Sequence, residues 1–152
     1  MKEILKEAVG VLLFDEPEAC AKITGSEKYP SIQGEVLFYS IWQGTLVAAM
    51  VTGLPFTEGK CSGRFFGFHL HEGNAHYNPE GCEHPMHAGD FPVLFGNSGC
   101  ALMIFYTEHF HPQQAVGKVA VIHEMPDDFR TQPSGDSGDK IATGEVRMPM
   151  DC

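Results

Sequence analysis

No stretch of eighteen or more apolar residues occurs in the 152 residues, so no membrane-spanning helix is expected and a membrane is not an expected partner. No CxxC pair occurs among the five cysteines (Cys20, Cys61, Cys82, Cys100 and Cys152), which argues against a thiolate zinc ribbon. Their odd number and wide spread make free thiols the expectation in a reducing compartment, with a Cys61–Cys82 link as one candidate pairing. Positive charge is scarce: 10 lysines and arginines stand against 20 aspartates and glutamates, for a formal net charge of −10. Without a basic stripe to follow a phosphate backbone, nucleic acid is not an expected partner. The same charge favours solubility and repels small anions at long range, so a site that takes an anion needs local positive charge. Long helical periodicity, internal repeats and low-complexity tracts are missing too.

At the N-terminus, Glu3 and Glu7 dilute the basic start that a secretory leader would need, and Asp15-Glu16-Pro17 stands where a cleavage site would be. A short amphipathic helix with Ile4, Leu5, Ala8 and Leu12 on one side is expected instead, and with it a cytoplasmic location. Beyond it, 17 glycines and 10 prolines punctuate short apolar runs. Strands are expected at Glu35–Ser40, Thr45–Thr52, Phe65–His71, Ala101–Thr107, Val116–His123 and Ile141–Met148, with a hairpin turn at Gln43-Gly44. Short strands at such intervals predict an antiparallel sandwich or barrel in a single domain. One irregular stretch, Glu72–Asn97, exceeds ordinary loop length, and loops of that size are commonly functional or disordered.

That stretch and its flanks hold most of the histidines. In Phe68-His69-Leu70-His71 the side chains alternate, so His69 and His71 share a face while Phe68 and Leu70 point to the core. Two imidazoles about 7 Å apart at their Cα atoms can converge on one cation, although an isolated pair reads more readily as two solvated surface histidines. His76 follows within a short loop, and His84-Pro-Met-His87-Ala-Gly-Asp90 offers two imidazoles and a carboxylate at three-residue steps, a donor set suited to zinc. His123 ends an apolar strand. His109 and His111, in a polar turn, read as solvent-exposed.

The runs Gly67-Phe68-His69-Leu70-His71-Glu72, His76-Tyr77-Asn78-Pro79, His87-Ala88-Gly89-Asp90 and Val121-Ile122-His123-Glu124 together resemble the copper–zinc superoxide dismutases, in the same order and over roughly residues 18–148. The resemblance implies an all-β, eight-stranded antiparallel Greek-key barrel with a long metal-binding loop, spanning 18–152 after an N-terminal extension at 1–17. It implies copper held by His69, His71, His76 and His123, and zinc held by His76, His84, His87 and Asp90, with His76 shared. Asp127 would hydrogen-bond one ligand of each metal, here His69 and His84; alone it reads as a turn aspartate beside Asp128. Lys140 stands where the family more often has an arginine that guides the anionic substrate; alone it reads equally as a solvated turn lysine beside Asp139. The implied activity is dismutation of superoxide to oxygen and peroxide by copper redox cycling, with His76 as proton carrier. A metal carrier without turnover is the alternative on the same barrel.

The sequence also departs from that pattern. Only Glu72–Ala75 separates His71 from His76, where relatives have a long loop with a cysteine, and Thr143 fills the partner cysteine's place. The usual internal disulfide is therefore not expected, as in a bacterial-type member lacking that loop. The missing loop also leaves open whether a second copy of the chain, as a homodimer, is a partner. Phe66 replaces a histidine, with a packing change and no lost ligand expected.

Overall fold

The structure, a computed structural model, describes residues 1–59 and 63–152; the Cys61–Cys82 pairing lies outside the described residues. The described chain forms ten strands: β1 (Ala19–Gly25), β2 (Gln33–Ile41), β3 (Gly44–Thr52), β4 (Arg64–Phe66), β5 (Phe68–Glu72), β6 (Ala75–His76), β7 (Leu94–Gly96), β8 (Ala101–Thr107), β9 (Val119–His123) and β10 (Lys140–Arg147). Helix is limited to α1 (Lys2–Phe14), the short α2 (Pro112–Ala115) and a 3-10 turn at Pro149–Asp151. No helix among the described residues is long and apolar enough to cross a membrane.

Eight strands form one antiparallel sheet in the order β6-β5-β9-β10-β1-β2-β3-β8. β10 returns to lie beside β1, and β9 enters between β5 and β10, crossovers of the Greek-key kind. The sheet curls into a half-barrel, and its terminal strands β6 and β8 do not pair. β4 and β7 make a separate ribbon, with Phe65 opposite Phe95. Only Gly67 separates β4 from β5, and β7 turns into β8 through the Asn97–Cys100 bridge, so the ribbon links the two ends of the sheet.

One apolar cluster fills the interior, including Phe38, Phe66, Phe68, Leu70, Phe91, Phe110 and Ile122, all essentially inaccessible. Burying a side chain of this size stabilises by roughly 1.5–3 kcal/mol. A one-residue slip of β5 would expose Phe68 and Leu70 and drive His69 and His71 into the core, so core packing dictates which face the histidines take. Phe66 is fully buried there, as a packing residue.

Several expected boundaries shift for identifiable reasons. The β2–β3 hairpin closes at the Ile41–Gly44 pair, which makes Trp42-Gln43 the turn; Trp42 takes a positive φ of 51°. The expected strand Phe65–His71 breaks at Gly67, whose N–H donates to the Met125 carbonyl while its own carbonyl accepts from His123. β9 starts at Val119, because α2 and Gly117 occupy the preceding segment. β1, β6 and β7 were not among the expected strands. In α1 the packed side chains are Ala8, Val11 and Leu12, against Tyr39, Ile41 and Leu46; Ile4 and Leu5 stay exposed.

The expectation of free thiols fails at one pair. Cys20 and Cys152 form a disulfide with Cα atoms 6.3 Å apart. Cys20 pairs in register with Arg147, and the 3-10 turn after β10 folds the chain end back onto β1.

Candidate metal centre

Two cages of side chains form on the outer side of β5. The donor atoms of His69, His71, His76 and His123 lie within 4.8 Å of one another, and so do those of His76, His84, His87 and Asp90. His76 belongs to both. Every residue singled out in the sequence as a ligand is thus brought together, and His109 and His111 stay outside, both exposed. His111 instead caps α2, its backbone N–H donating to Gln114.

Strand pairing places the first cage. His69 and His71 project from the same face of β5, and His123 ends the neighbouring β9. The short link between His71 and His76 is a hairpin: His71 pairs with His76 and Glu72 with Ala75, leaving Gly73-Asn74 as a two-residue turn. Gly73 has φ 63°, which suits a glycine at the first central position. Directly opposed residues share a face, so the hairpin sets the His76 ring 4.9 Å from that of His71 and 3.9 Å from that of His69. Lys118 braces the hairpin, with a 3.1 Å ion pair to Glu72 and its ammonium 4.2 Å from the Tyr77 ring centroid.

The loop after β6 builds the second cage. The rings of His76, His84 and His87 stand pairwise 5.6 Å apart around the Asp90 carboxylate. Their Nδ1 atoms lie 2.6, 3.1 and 3.3 Å from its oxygens. Gly89 lets this loop lie flat on β5: its N–H donates to Tyr77 and its carbonyl accepts from Leu70, while an added Cβ would fall 2.2 Å from the Leu70 oxygen.

Asp127 sets proton positions in both cages. His69 donates from Nε2 to one carboxylate oxygen at 2.5 Å, and His84 donates from Nε2 to the other at 3.0 Å. With those protons committed, the Nδ1 lone pairs of both rings are available, and both Nδ1 atoms are buried with no hydrogen-bond partner. His123 donates from Nδ1 to the Gly138 carbonyl at 3.0 Å, leaving its Nε2 facing that of His71 at 3.4 Å. The Nε2 of His76 and the Nδ1 of His87 are also buried and unpartnered. Buried polar atoms normally find partners, and lone pairs converging without protons between them repel. A cation in each cage removes both conflicts, so the residues present fit copper in the all-imidazole cage and zinc in the cage with a carboxylate.

The electrostatics agree. Burial first, then the charge of His76, holds His69 down to about 4 in spite of Asp127. Burial, His76 and Lys140 hold His71 down to about 3, and burial also lowers His123. At neutral pH the His69 and His71 rings are therefore unprotonated, the form a metal requires. Burial pushes Asp90 upward, but hydrogen bonds from His76 and the His87 backbone outweigh it and leave the carboxyl below its usual range.

The first cage opens on a cleft of about 670 Å³ lined by His71, His76, His123, Gln132, Asp139 and Lys140 among others. Lys140 starts β10 directly opposite His123 and is the one lysine or arginine among the described lining residues. Three supporting roles have no counterpart in the sequence analysis. Gln132 clasps His84 reciprocally, accepting from its backbone N–H at 3.0 Å and donating to its carbonyl at 2.6 Å. Gly135, at φ 72°, lies so close to Asp127 that a Cβ would fall 2.0 Å from its Oδ1. Gly138 offers the carbonyl that orients His123. Their spacing from the rings they serve gives no local signature.

A family model for copper/zinc superoxide dismutase (SODC) matches residues 32–146. Superoxide dismutase [Cu-Zn] 2 of Aquifex aeolicus (strain VF5) is 25% identical over 177 aligned positions, covering 97% of this chain and all of that protein. The crystal structure of a double mutant of a SOD-like protein from Bacillus subtilis superposes with a TM-score of 0.69 at 25% identity, covering 84% of this chain and 96% of the other. With the match spanning most of the half-barrel and all four histidine runs, this chain belongs to the copper/zinc superoxide dismutase family.

Proposed function

We propose that the protein dismutes superoxide, with copper held by His69, His71, His76 and His123 and zinc held by His76, His84, His87 and Asp90. The observation that carries this reading is the position of His76, with an unpartnered Nε2 in one cage and its Nδ1 against Asp90 in the other. Copper supplies a one-electron redox couple at the open cage, and zinc a fixed charge that keeps the shared ring aimed. The chain's own residues do the rest. Lys140 draws the anion into a cleft on a molecule of net charge −10. His76 can hold a proton at Nε2 and hand it to the departing product while its Nδ1 side stays fixed. Asp127 keeps His69 and His84 in one tautomer throughout.

The test is superoxide consumption by protein reconstituted with copper and zinc. Turnover well above that of free copper is expected, and His123→Ala should abolish it while zinc stays bound. Tight copper binding without turnover would instead assign the chain as a carrier, a reading that the open cleft keeps in view. Because the metals bind only the native cages, chelation should also lower the melting temperature.

A further inference from the structure

Away from the metal centre, α1 has a second apolar face. Its inner side, Ala8, Val11 and Leu12, is packed on the outer face of β2 and β3. Leu5, Val9 and Leu13, at four-residue intervals on the other side, are 66%, 44% and 66% exposed, and Phe14 is 84% exposed. Lys2 and Lys6 flank that row and line the same shallow groove, and Gly10 adds no bulk to it. The apolar surface continues beyond the helix. On β8, Tyr106 packs under α1, and by alternation Ile104 and Leu102 carry on the outward row. Opposite them on β3 stand Ala48 and Met50. Leu102, Ile104 and Met50 are all substantially exposed. Clustered exposed apolar side chains rimmed by charge mark candidate interaction sites on soluble proteins.

We propose that this surface joins two copies of the chain, with their α1 helices packed antiparallel. The row Leu5-Val9-Leu13 is symmetric about Val9. Turned end for end, it sets Leu5 of each copy against Leu13 of the other and Val9 against its counterpart, the self-complementarity that a two-fold interface requires. Charge agrees with that orientation: Lys2 and Lys6 at the start of one helix approach Asp15 and Glu16, just past the end of the other. A face carrying lysines among apolar residues, on a chain of net charge −10, suits a second copy of this acidic molecule. An anionic bilayer would be repelled by the remainder of it. The surface uses none of the metal-site residues, so it stands or falls independently of the proposed activity.

The experiment is sedimentation velocity on the full-length, metal-loaded protein across a wide concentration range. A dimer is expected. Val9→Glu, which faces two like charges across the axis, should weaken it about tenfold or more, the scale of a central interface residue. Circular dichroism and the melting temperature should be unchanged, since Val9 is exposed. Lys2→Glu should weaken the dimer by a smaller factor, and adding Glu16→Lys should restore it. A wild type that remains monomeric at every concentration overturns the proposal, as does a dimer indifferent to Val9→Glu. Monomers that co-sediment with phosphatidylcholine–phosphatidylglycerol vesicles would assign the face to lipid and overturn it too.

Discussion

His76 meets Asp90 at 2.6 Å between Nδ1 and Oδ1, while the Nε2 of the same ring is buried among His69, His71 and His123 without a partner. One imidazole therefore presents a donor to each of two adjoining cages. Its placement depends on strand pairing on one side and on the orientation of its neighbours on the other, and the neighbours are aimed by Asp127.

Asp127→Asn should test that dependence. The amide keeps the shape of the carboxylate but cannot accept from both His69 and His84 at its two ends. Copper affinity, measured by chelator competition, should fall about 10- to 100-fold, the usual cost of losing such a support. Unchanged affinity would remove Asp127 from the account.

Gly135→Ala should disturb the same carboxylate from the opposite direction. The new methyl group would sit 2.0 Å from Asp127 Oδ1, at a φ that alanine rarely adopts. A loss of about 1–3 kcal/mol is expected, together with weakened metal retention. Gly117→Ala is the control: φ is 83° but nothing lies within 4 Å, so denaturant unfolding should report backbone strain alone, with metal content intact.

Lys140→Ala should lower kcat/KM roughly tenfold at low salt, and Lys140→Glu should lower it further. The decisive readout is ionic strength. Rate should fall with added salt in the wild type and respond much less in Lys140→Ala. Parallel salt curves would mean that another group guides the anion.

Cys20→Ser removes a bridge spanning 132 positions. Loss of a native disulfide commonly costs 2–5 kcal/mol, and long loops fall toward the upper end of about that range. Urea unfolding of Cys20→Ser should show a deficit of this size, reproduced in the wild type by a reductant. The bridge is characteristic of oxidising compartments. Alkylation of protein taken directly from its source, with Cys20 and Cys152 protected, would place it in one.

Asp128 supplies a pH signature. It accepts from the Thr131 hydroxyl at 2.6 Å and from the backbone N–H groups of Thr131 and Arg130, and these bonds hold its carboxyl at about 2. The folded value lies below the unfolded one near 3.8, so its contribution is fully present above that pH. It fades as pH falls towards about 2. The melting-temperature gap between wild type and Asp128→Ala should therefore be constant near neutrality and narrow below pH ~4. A gap that widens in acid would contradict the assignment.

Spacing made parts of this centre legible, and the family resemblance joined them into one site. Alternation in Phe68-His69-Leu70-His71 fixes two ligands on one face because the core claims the other, and three-residue steps keep His84, His87 and Asp90 near one point. The resemblance supplied the shared role of His76, the place of His123 in the copper set, and Asp127 and Lys140, whose partners lie far off in the chain. What stayed hidden has no local pattern: the Gln132–His84 clasp spans 48 positions, and the contact of Gly135 with Asp127 depends on how two loops stack. The Gly73-Asn74 hairpin was readable, since Gly-Asn between residues able to pair is a turn signal. Set against the longer loop of relatives, the short link stands out as a deletion, which masks that signal. The Cys20–Cys152 bridge was missed because nothing in the cysteine count predicts that β10 lies beside β1.

That two-residue turn has a consequence for how much the chain can vary. Because side chains alternate about the ladder, a one-residue slip in the pairing of His71 with His76 would rotate the second imidazole to the opposite side of the sheet and sever the link between the two cages. Register is therefore fixed at this corner, whereas the long segment from Met125 to Asp139 is tied down by a handful of backbone bonds and by the Gln132 and Gly138 contacts, and can be redrawn wherever those anchors are kept.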